Sequence, residues 1–256
     1  MDWKGKTVFL TGASSGIGEG IALALAKKGA TLGLVARRED MLIDLAARCD
    51  AAGGTARVFA CDVTDAGTLE VAAEEFRREF AHIDVMIANA GISGNNEETR
   101  SYESEAVKKL IDINLLGAVN AIHAVVPQML ERGSGHLVAV SSLAGFRGLP
   151  KSAAYCASKA GMTAFFESVR LDVAHRGVDV TIIQPGFIKT PLTSGRHHKM
   201  PYLMELDDAI PHFIRAIENK KRFAAFPWQL ATIVRAGKFM PAWLYDRFAG
   251  GAKYRE

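Results

Sequence analysis

Tyr155 and Lys159 stand four residues apart, downstream of Ser142, in a stretch that ends Tyr155-Cys156-Ala157-Ser158-Lys159. On a helix that spacing puts both side chains on one face. A cation beside a phenol favours the phenolate and lowers its pKa from the usual value near ~10. A lowered pKa is what a tyrosine needs to give or take a proton near neutral pH. Ser142 is placed to hold a substrate oxygen beside that phenol. A Tyr-x-x-x-Lys pair also arises on exposed helix faces that do no chemistry, so its weight depends on the elements that position it.

Those elements alternate along the chain. Thr7 to Leu10 reads as a buried strand that enters a glycine turn at Thr11-Gly12, and Ile17 to Lys28 then has helical periodicity, stopped by Gly29. Thr31 to Ala36 is a second strand, Met41 to Cys49 a helix, Ala56 to Ala60 a third strand, and Thr64 a plausible N-cap for a helix through Phe76. Val85 to Ala88 is a fourth strand. Val107 to Leu130 reads as one long helix, His136 to Val140 as a fifth strand running into Ser141-Ser142. Ala153 to Ala174 is the helix that carries Tyr155 and Lys159, and Val178 to Ile183 is a sixth strand closed by Pro185-Gly186. Strand and helix in alternation with short connections mean parallel strands joined by right-handed crossovers, an α/β doubly wound sheet. No internal repeat or linker divides the chain, so a single domain over residues 1–256 is expected.

The first turn is Gly12-Ala13-Ser14-Ser15-Gly16-Ile17-Gly18. Glycines between a strand and a helix let a backbone approach a ligand, and the helix N-terminus offers unpaired N–H groups to a pyrophosphate. The spacing is neither the Gly-x-Gly-x-x-Gly of the long dinucleotide fingerprint nor a P-loop, which needs a Lys. The second strand ends Ala36-Arg37-Arg38, where an NAD site usually places an acid for the ribose hydroxyls. Guanidinium forks suit a 2′-phosphate, so Arg37 and Arg38 favour NADP(H), with NAD(H) the alternative.

Composition narrows the partners. Hydrophobic content of 49% and charged content of 23% are those of an ordinary globular protein. A net charge of +3, with no dense Lys/Arg block interleaved with aromatics, does not point to nucleic acid. Cys49, Cys61 and Cys156 are scattered, without metal-ligand spacing or a disulfide framework. Cys156, beside Tyr155, is either a reactive thiol or a small packed residue, and the second fits free cysteines better. The N-terminus lacks the apolar core of a signal peptide and no run reaches the ~20 apolar residues of a membrane span, so a cytoplasmic protein is expected.

Thr11-Gly12-x3-Gly16-x-Gly18, Asn89-Ala90-Gly91, Asn114, Ser142, Tyr155-x3-Lys159 and Pro185-Gly186 occur in this order. Together they resemble the short-chain dehydrogenase/reductase family, in its form of about this length, over residues 5 to about 190. The resemblance implies a Rossmann-type sheet of about seven strands in the order 3-2-1-4-5-6-7, with helices on both faces. It implies that Tyr155 is the general acid/base, that Lys159 lowers its pKa and bonds the nicotinamide ribose, and that Ser142 polarises the substrate oxygen. Asn114 would kink its helix and hold a water that relays protons from Lys159. Asp62 and Val63 would border the adenine, and Asn89, Ala90 and Gly91 would line the cofactor and tie the central strands together. Pro185, Gly186, Ile188 and Thr190 would hold the nicotinamide end. In isolation Asn114, Ser142 and Asp62 are ordinary turn and cap residues. A homodimer or homotetramer through the two long helices is implied by the same likeness. The chain has Ala88-Asn89-Ala90-Gly91 where the family usually has Asn-Asn-Ala-Gly.

The C-terminal part is the most individual. The loop from 191 to 206 follows the nicotinamide-holding residues and is the expected substrate lid. Its Met200, Tyr202, Leu203 and Met204 favour a lipophilic substrate. Arg222 to Pro227 supplies a seventh strand, and 228 to 248 reads as a helical tail broken near Pro241. Three roles are open to that tail: packing on the core or a second subunit, closing over the active site, or lying on a membrane surface. His136, His175, His197 and His198 receive no role. The expected function is hydride transfer between NADP(H) and a carbonyl or secondary alcohol. The alternatives are an NAD-dependent alcohol dehydrogenase and a catalytically silent cofactor-binding regulatory protein.

Overall fold

The computed structural model describes residues 2–93, 103–194 and 200–251. Seven strands form one parallel sheet: β1 (Thr7–Thr11), β2 (Thr31–Ala36), β3 (Thr55–Ala60), β4 (Val85–Ala88), β5 (Gly135–Val140), β6 (Val178–Pro185) and β7 (Phe223–Phe226). Their order is β3-β2-β1-β4-β5-β6-β7. β1 and β4 are buried throughout, as apolar runs of central parallel strands must be, because helices cover both faces. Side chains alternate across the sheet. Val8 and Leu10 of β1 join one core and Phe9 the other.

The first core is closed by α1 (Gly16–Ala26), α2 (Glu39–Ala51) and α8 (Leu206–Glu218), through Ile21, Leu25, Leu42, Leu45, Phe213 and Ile217. The second is closed by α3 (Ala66–Phe80), the segment from 104 to 132, and α7 (Ala153–Val173), through Leu69, Phe76, Ile122, Met129, Met162 and Phe166. The chain leaves β1 toward β2 on one side while β4 lies on the other. That reversal opens a crevice beyond the carboxyl ends of β1 and β4, the position where open α/β sheets bind ligands.

Several local expectations change. The long helix expected over 107–130 is α4 (Ser104–Ile111), a π-helical turn at Asp112–Leu116, α5 (Gly117–His123) and α6 (Val126–Arg132). The kink expected at Asn114 is this π turn. By length and composition the 104–132 stretch could cross a bilayer, yet 44% of its most apolar window is buried against the fold. The cap of α3 is Asp65, not Thr64, because its carboxylate accepts from the Thr68 N–H at 3.0 Å and the Thr68 hydroxyl at 2.7 Å. These bonds hold the Asp65 carboxyl below its usual range. β6 runs on to Pro185. Helix α8 occupies residues to which the sequence reading gives no element. The tail is two helices, α9 (Trp228–Lys238) and α10 (Ala242–Gly251), separated at Pro241 as expected.

Candidate active site

The glycine turn is shaped by contacts that exclude side chains. Gly12 has φ of +66°, and a Cβ there would lie 2.6 Å from the Ala90 Cα. A Cβ on Gly18 would lie 2.1 Å from the Gly12 carbonyl oxygen. The turn thus lies flat between the first turn of α1 and the exit of β4. Asn89 fastens it there, donating from Nδ2 to the carbonyls of Thr11 and Gly12, both at 3.1 Å. The Thr11 hydroxyl accepts from the Asn89 and Ala90 N–H groups at 3.1 and 3.2 Å. Ile17 packs on the first core. Ser15, at the N-cap of α1, makes no side-chain cap bond, so the helix N-terminus keeps its free donors for a phosphate.

The arginines at the end of β2 divide their work. Arg38 donates from Nη2 to the hydroxyls of Ser14 and Ser15, each at 2.9 Å, and so roofs the glycine turn with a cation. Arg37, more than half exposed, pairs with Asp62 at 3.6 Å. The other Asp62 oxygen accepts from Thr64 N–H at 3.0 Å and its hydroxyl at 2.9 Å, as a turn former does. Val63 is buried, and its carbonyl accepts from Asn120 Nδ2 at 2.9 Å. Of the two arginines expected to favour a 2′-phosphate, Arg38 is the one that reaches the glycine turn.

Asn114, Ser142 and Lys159 lie at the ends of β4 and β5, bonded to Ile92, Ala144 and Val140 there. Asn114 is buried in the π turn; Oδ1 accepts from Ile92 N–H at 2.7 Å, and Nδ2 donates to Ile92 O at 2.9 Å and to Ser158 Oγ at 3.1 Å. Ser158 in turn donates to the Tyr155 carbonyl at 2.9 Å. Lys159 is buried, with Nζ donating to Val140 O at 3.0 Å, and burial pushes its pKa down to about 8. A Cβ on Gly91 would lie 3.2 Å from Asn114 Oδ1 and 3.5 Å from Lys159 Nζ, so the missing side chain leaves a recess between them. Tyr155 stands in the first turn of α7, one turn before Lys159. Ser142 caps the short turn Leu143–Gly145, its Oγ accepting from Ala144 N–H at 3.1 Å. That role leaves its hydroxyl hydrogen to donate.

Two residues the sequence reading passes over hold this arrangement. Ser141 Oγ donates to the Lys159 carbonyl at 3.0 Å and sits 2.8 Å from Thr163 Oγ1, pinning α7 to the end of β5. Ser158 links Asn114 to the Tyr155 turn. The only sequence signal for either is a serine beside a more conspicuous residue.

The chain after β6 passes the glycine turn at Thr190, and residues 195–199 of the expected lid lie outside the described residues. Gly186 N–H donates to Phe226 O at 2.8 Å. Pro185 ends the strand and Ile188 is buried. Lys189 N–H donates to Met204 O at 2.9 Å and Met204 N–H to Phe187 O at 3.0 Å, joining both ends of the expected lid. Thr190 lies against Gly16, where a Cβ would be 3.3 Å from the Thr190 Cβ. His197 and His198 lie outside the described residues. His136 is buried on Thr181 Oγ1 at 2.8 Å, and burial holds its pKa down at about 4. Cys156 is buried and its thiol is pushed up, as are those of Cys49 and Cys61 to about 11. A buried thiol with a raised pKa is a packing residue. Among the described residues no group of three His, Cys, Asp or Glu could hold a metal.

Comparison with known proteins agrees with this geometry. The family model described as short chain dehydrogenase matches residues 6–201. An uncharacterized oxidoreductase of Myxococcus xanthus is 43% identical over 244 residues, 95% of this chain and 96% of the relative. The ketoacyl reductase HetN of a Nostoc species is 34% identical over 84% of this chain and 76% of its own. The crystal structure of a 3-ketoacyl-ACP reductase from Sinorhizobium meliloti superposes with a TM-score of 0.80 at 27% identity, covering 89% of this chain and 99% of that one.

Proposed function

This chain belongs to the short-chain dehydrogenase/reductase family of oxidoreductases, and on that premise we propose that it is an NADP(H)-dependent reductase of a lipophilic carbonyl compound, with Tyr155 as general acid/base. The nicotinamide cofactor, when bound, supplies or accepts the hydride. The fit of the chain to that group rests on its own shape. Gly12 and Gly18 have no room for a side chain, α1 presents uncapped donors, and Gly91 leaves a recess beside Lys159.

The observation that carries the proposal is Lys159. A buried ammonium is costly unless something nearby uses its charge. Its Nζ donates to the Val140 carbonyl and to Met162 Sδ at 3.9 Å, which leaves an N–H for a ribose hydroxyl and a field that favours the Tyr155 phenolate. In reduction Tyr155 gives its phenolic proton to the substrate oxygen as negative charge develops there, and Ser142 donates a hydrogen bond to the same oxygen. In oxidation the phenolate takes the alcohol proton. Asn114 and Ser158 hold α7 in register with the π turn, and Asn114 would hold a water that returns the proton through Lys159.

Arg38 supports the NADP(H) reading, because it sets a guanidinium over the glycine turn where β2 ends in Ala36 without an acid. The lipophilic reading is supported by exposed Leu149, between Ser142 and Tyr155, and by exposed Leu192, Tyr202 and Leu203, after Thr190. The ketoacyl reductases among the similar proteins are consistent with a keto group on an acyl chain. A homodimer or homotetramer through the 104–132 segment and α7 is part of the proposal, supported by exposed Leu116 and Leu171 on them. Consumption of NADPH and NADH, measured side by side against ketones from small and polar to long-chain 3-ketoacyl thioesters, tests this reading. Turnover with NADPH on the apolar members is expected; turnover with NADH alone would overturn the cofactor assignment.

A further inference from the structure

The two C-terminal helices are firmly mounted, yet their large apolar side chains face outward. On the inner side of α9, Leu230, Ala231 and Val234 pack with Leu143, Phe146 and Phe187. Arg147 donates from Nη1 to the carbonyls of Gly237 and Met240, and its guanidinium stacks on the Tyr245 ring 3.8 Å from the centroid. The Tyr245 hydroxyl donates to Gly148 O at 2.6 Å. On the outer side, Trp228, Ile233, Phe239, Trp243 and Phe248 are exposed, from 57% for Ile233 to 86% for Phe239. Trp228 and Phe239 are about three turns apart and so share a side of the helix. Trp243 and Arg247 share another, opposite the anchored Tyr245.

Charge says what this surface meets. Between 228 and 251 the chain carries Arg235, Lys238 and Arg247 against Asp246 alone. Beside α9, a cavity of about 270 Å³ is lined by His212, Arg215, Lys221 and Arg235 along β7. No carboxylate lies within ion-pair distance of Arg215, Lys221, Arg235, Lys238 or Arg247 among the described residues. A second copy of the same surface would set like charges against each other. An anionic bilayer offers acyl chains to the aromatic side chains and phosphates to the cations, and Trp and Phe beside Lys and Arg are the composition of interfacial helices.

We propose that α9 and α10 dock the protein on an anionic lipid bilayer. Trp228, Phe239, Trp243 and Phe248 enter the headgroup–acyl boundary, and Arg235, Lys238 and Arg247 meet lipid phosphates. Because Arg147 and Gly148 belong to the loop between Ser142 and Tyr155, docking also holds the mouth of the cleft at the lipid surface.

The full-length protein carries its own probe. Of its three tryptophans, Trp3 is buried while Trp228 and Trp243 are exposed. Vesicles of phosphatidylcholine with phosphatidylglycerol are expected to pellet the protein and shift its tryptophan emission to the blue. Pure phosphatidylcholine vesicles should do so far less, and added salt should release the protein. The Lys238→Glu/Arg247→Glu variant should lose about tenfold or more in partitioning, and Phe239→Ser/Phe248→Ser should weaken both pelleting and shift. Protein that stays in the supernatant with unchanged emission would overturn the proposal. So would pelleting without a blue shift, which is charge attraction alone. Equal vesicle binding by the serine variant, together with loss of self-association in light scattering, would give the surface to a second copy instead.

Discussion

The Asn114 amide donates to the Ser158 hydroxyl at 3.1 Å, and Ser158 donates to the carbonyl of Tyr155 at 2.9 Å, so the π turn and the first turn of α7 are held as one unit. Asn114 also closes a two-bond clamp on Ile92. Replacing it with Ala leaves both backbone groups of Ile92 without their partner. A stability loss of about 2–6 kcal/mol is expected, at ~1–3 kcal/mol for each group stranded. Ser158→Ala removes only the link. It should lower kcat and leave KM for the cofactor near the parent value, since Ser158 positions Tyr155 and touches no ligand. Denaturant melts and steady-state kinetics of the two variants check this; equal effects on both would deny the link its positioning role.

Arg38→Ala strips the cation from the glycine turn. A charge-assisted contact to a 2′-phosphate contributes about 1.5–3 kcal/mol, so KM for NADPH should rise about tenfold to a hundredfold with little change for NADH. Ala36→Asp in the same background should turn the preference toward NADH. Kinetics with both cofactors decide it, and an unchanged NADPH KM in Arg38→Ala would pass the role to Arg37.

His136 gives the fold an acid limit. Burial lowers its pKa from 6.5 to about 4, so between these values the unfolded chain binds a proton that the folded one does not. Its contribution is whole above pH ~6.5 and falls by roughly 3 kcal/mol as the pH drops toward ~4. The His136→Leu/Thr181→Val pair, which removes both partners of the 2.8 Å contact, should flatten that part of the stability curve in denaturant melts across the range. A parallel curve would place the acid sensitivity elsewhere.

The sequence carried much of this arrangement. β1, β2 and β4 follow from short apolar runs, because central parallel strands are buried on both faces and leave little polar surface to blur them. The candidate site was legible where residue types stand at a fixed spacing, as with Gly12, Gly16 and Gly18 in the tight turn and Tyr155 and Lys159 one turn apart on α7. It was not legible where a common residue works through geometry. Ser141 and Ser158 look like any helix-flanking serine, and their partners lie 18 to 44 positions away along the chain. Helix α8 escaped because Pro211 sits inside it, a residue that ordinarily breaks helices, while its apolar face over Phe213, Ile214 and Ile217 is recognisable only once the sheet it covers is known. The division of labour between Arg37 and Arg38 depends on side-chain direction at the end of a strand, where successive residues point to opposite faces.

The central claim is that Tyr155 moves the proton. Tyr155→Phe keeps the ring and removes the hydroxyl. On a carbonyl substrate turned over by the parent enzyme with NADPH, kcat should fall about 10²–10⁴-fold, while NADPH still binds with its parent affinity by fluorescence titration. A variant that binds NADPH and keeps near-parent turnover would contradict the account.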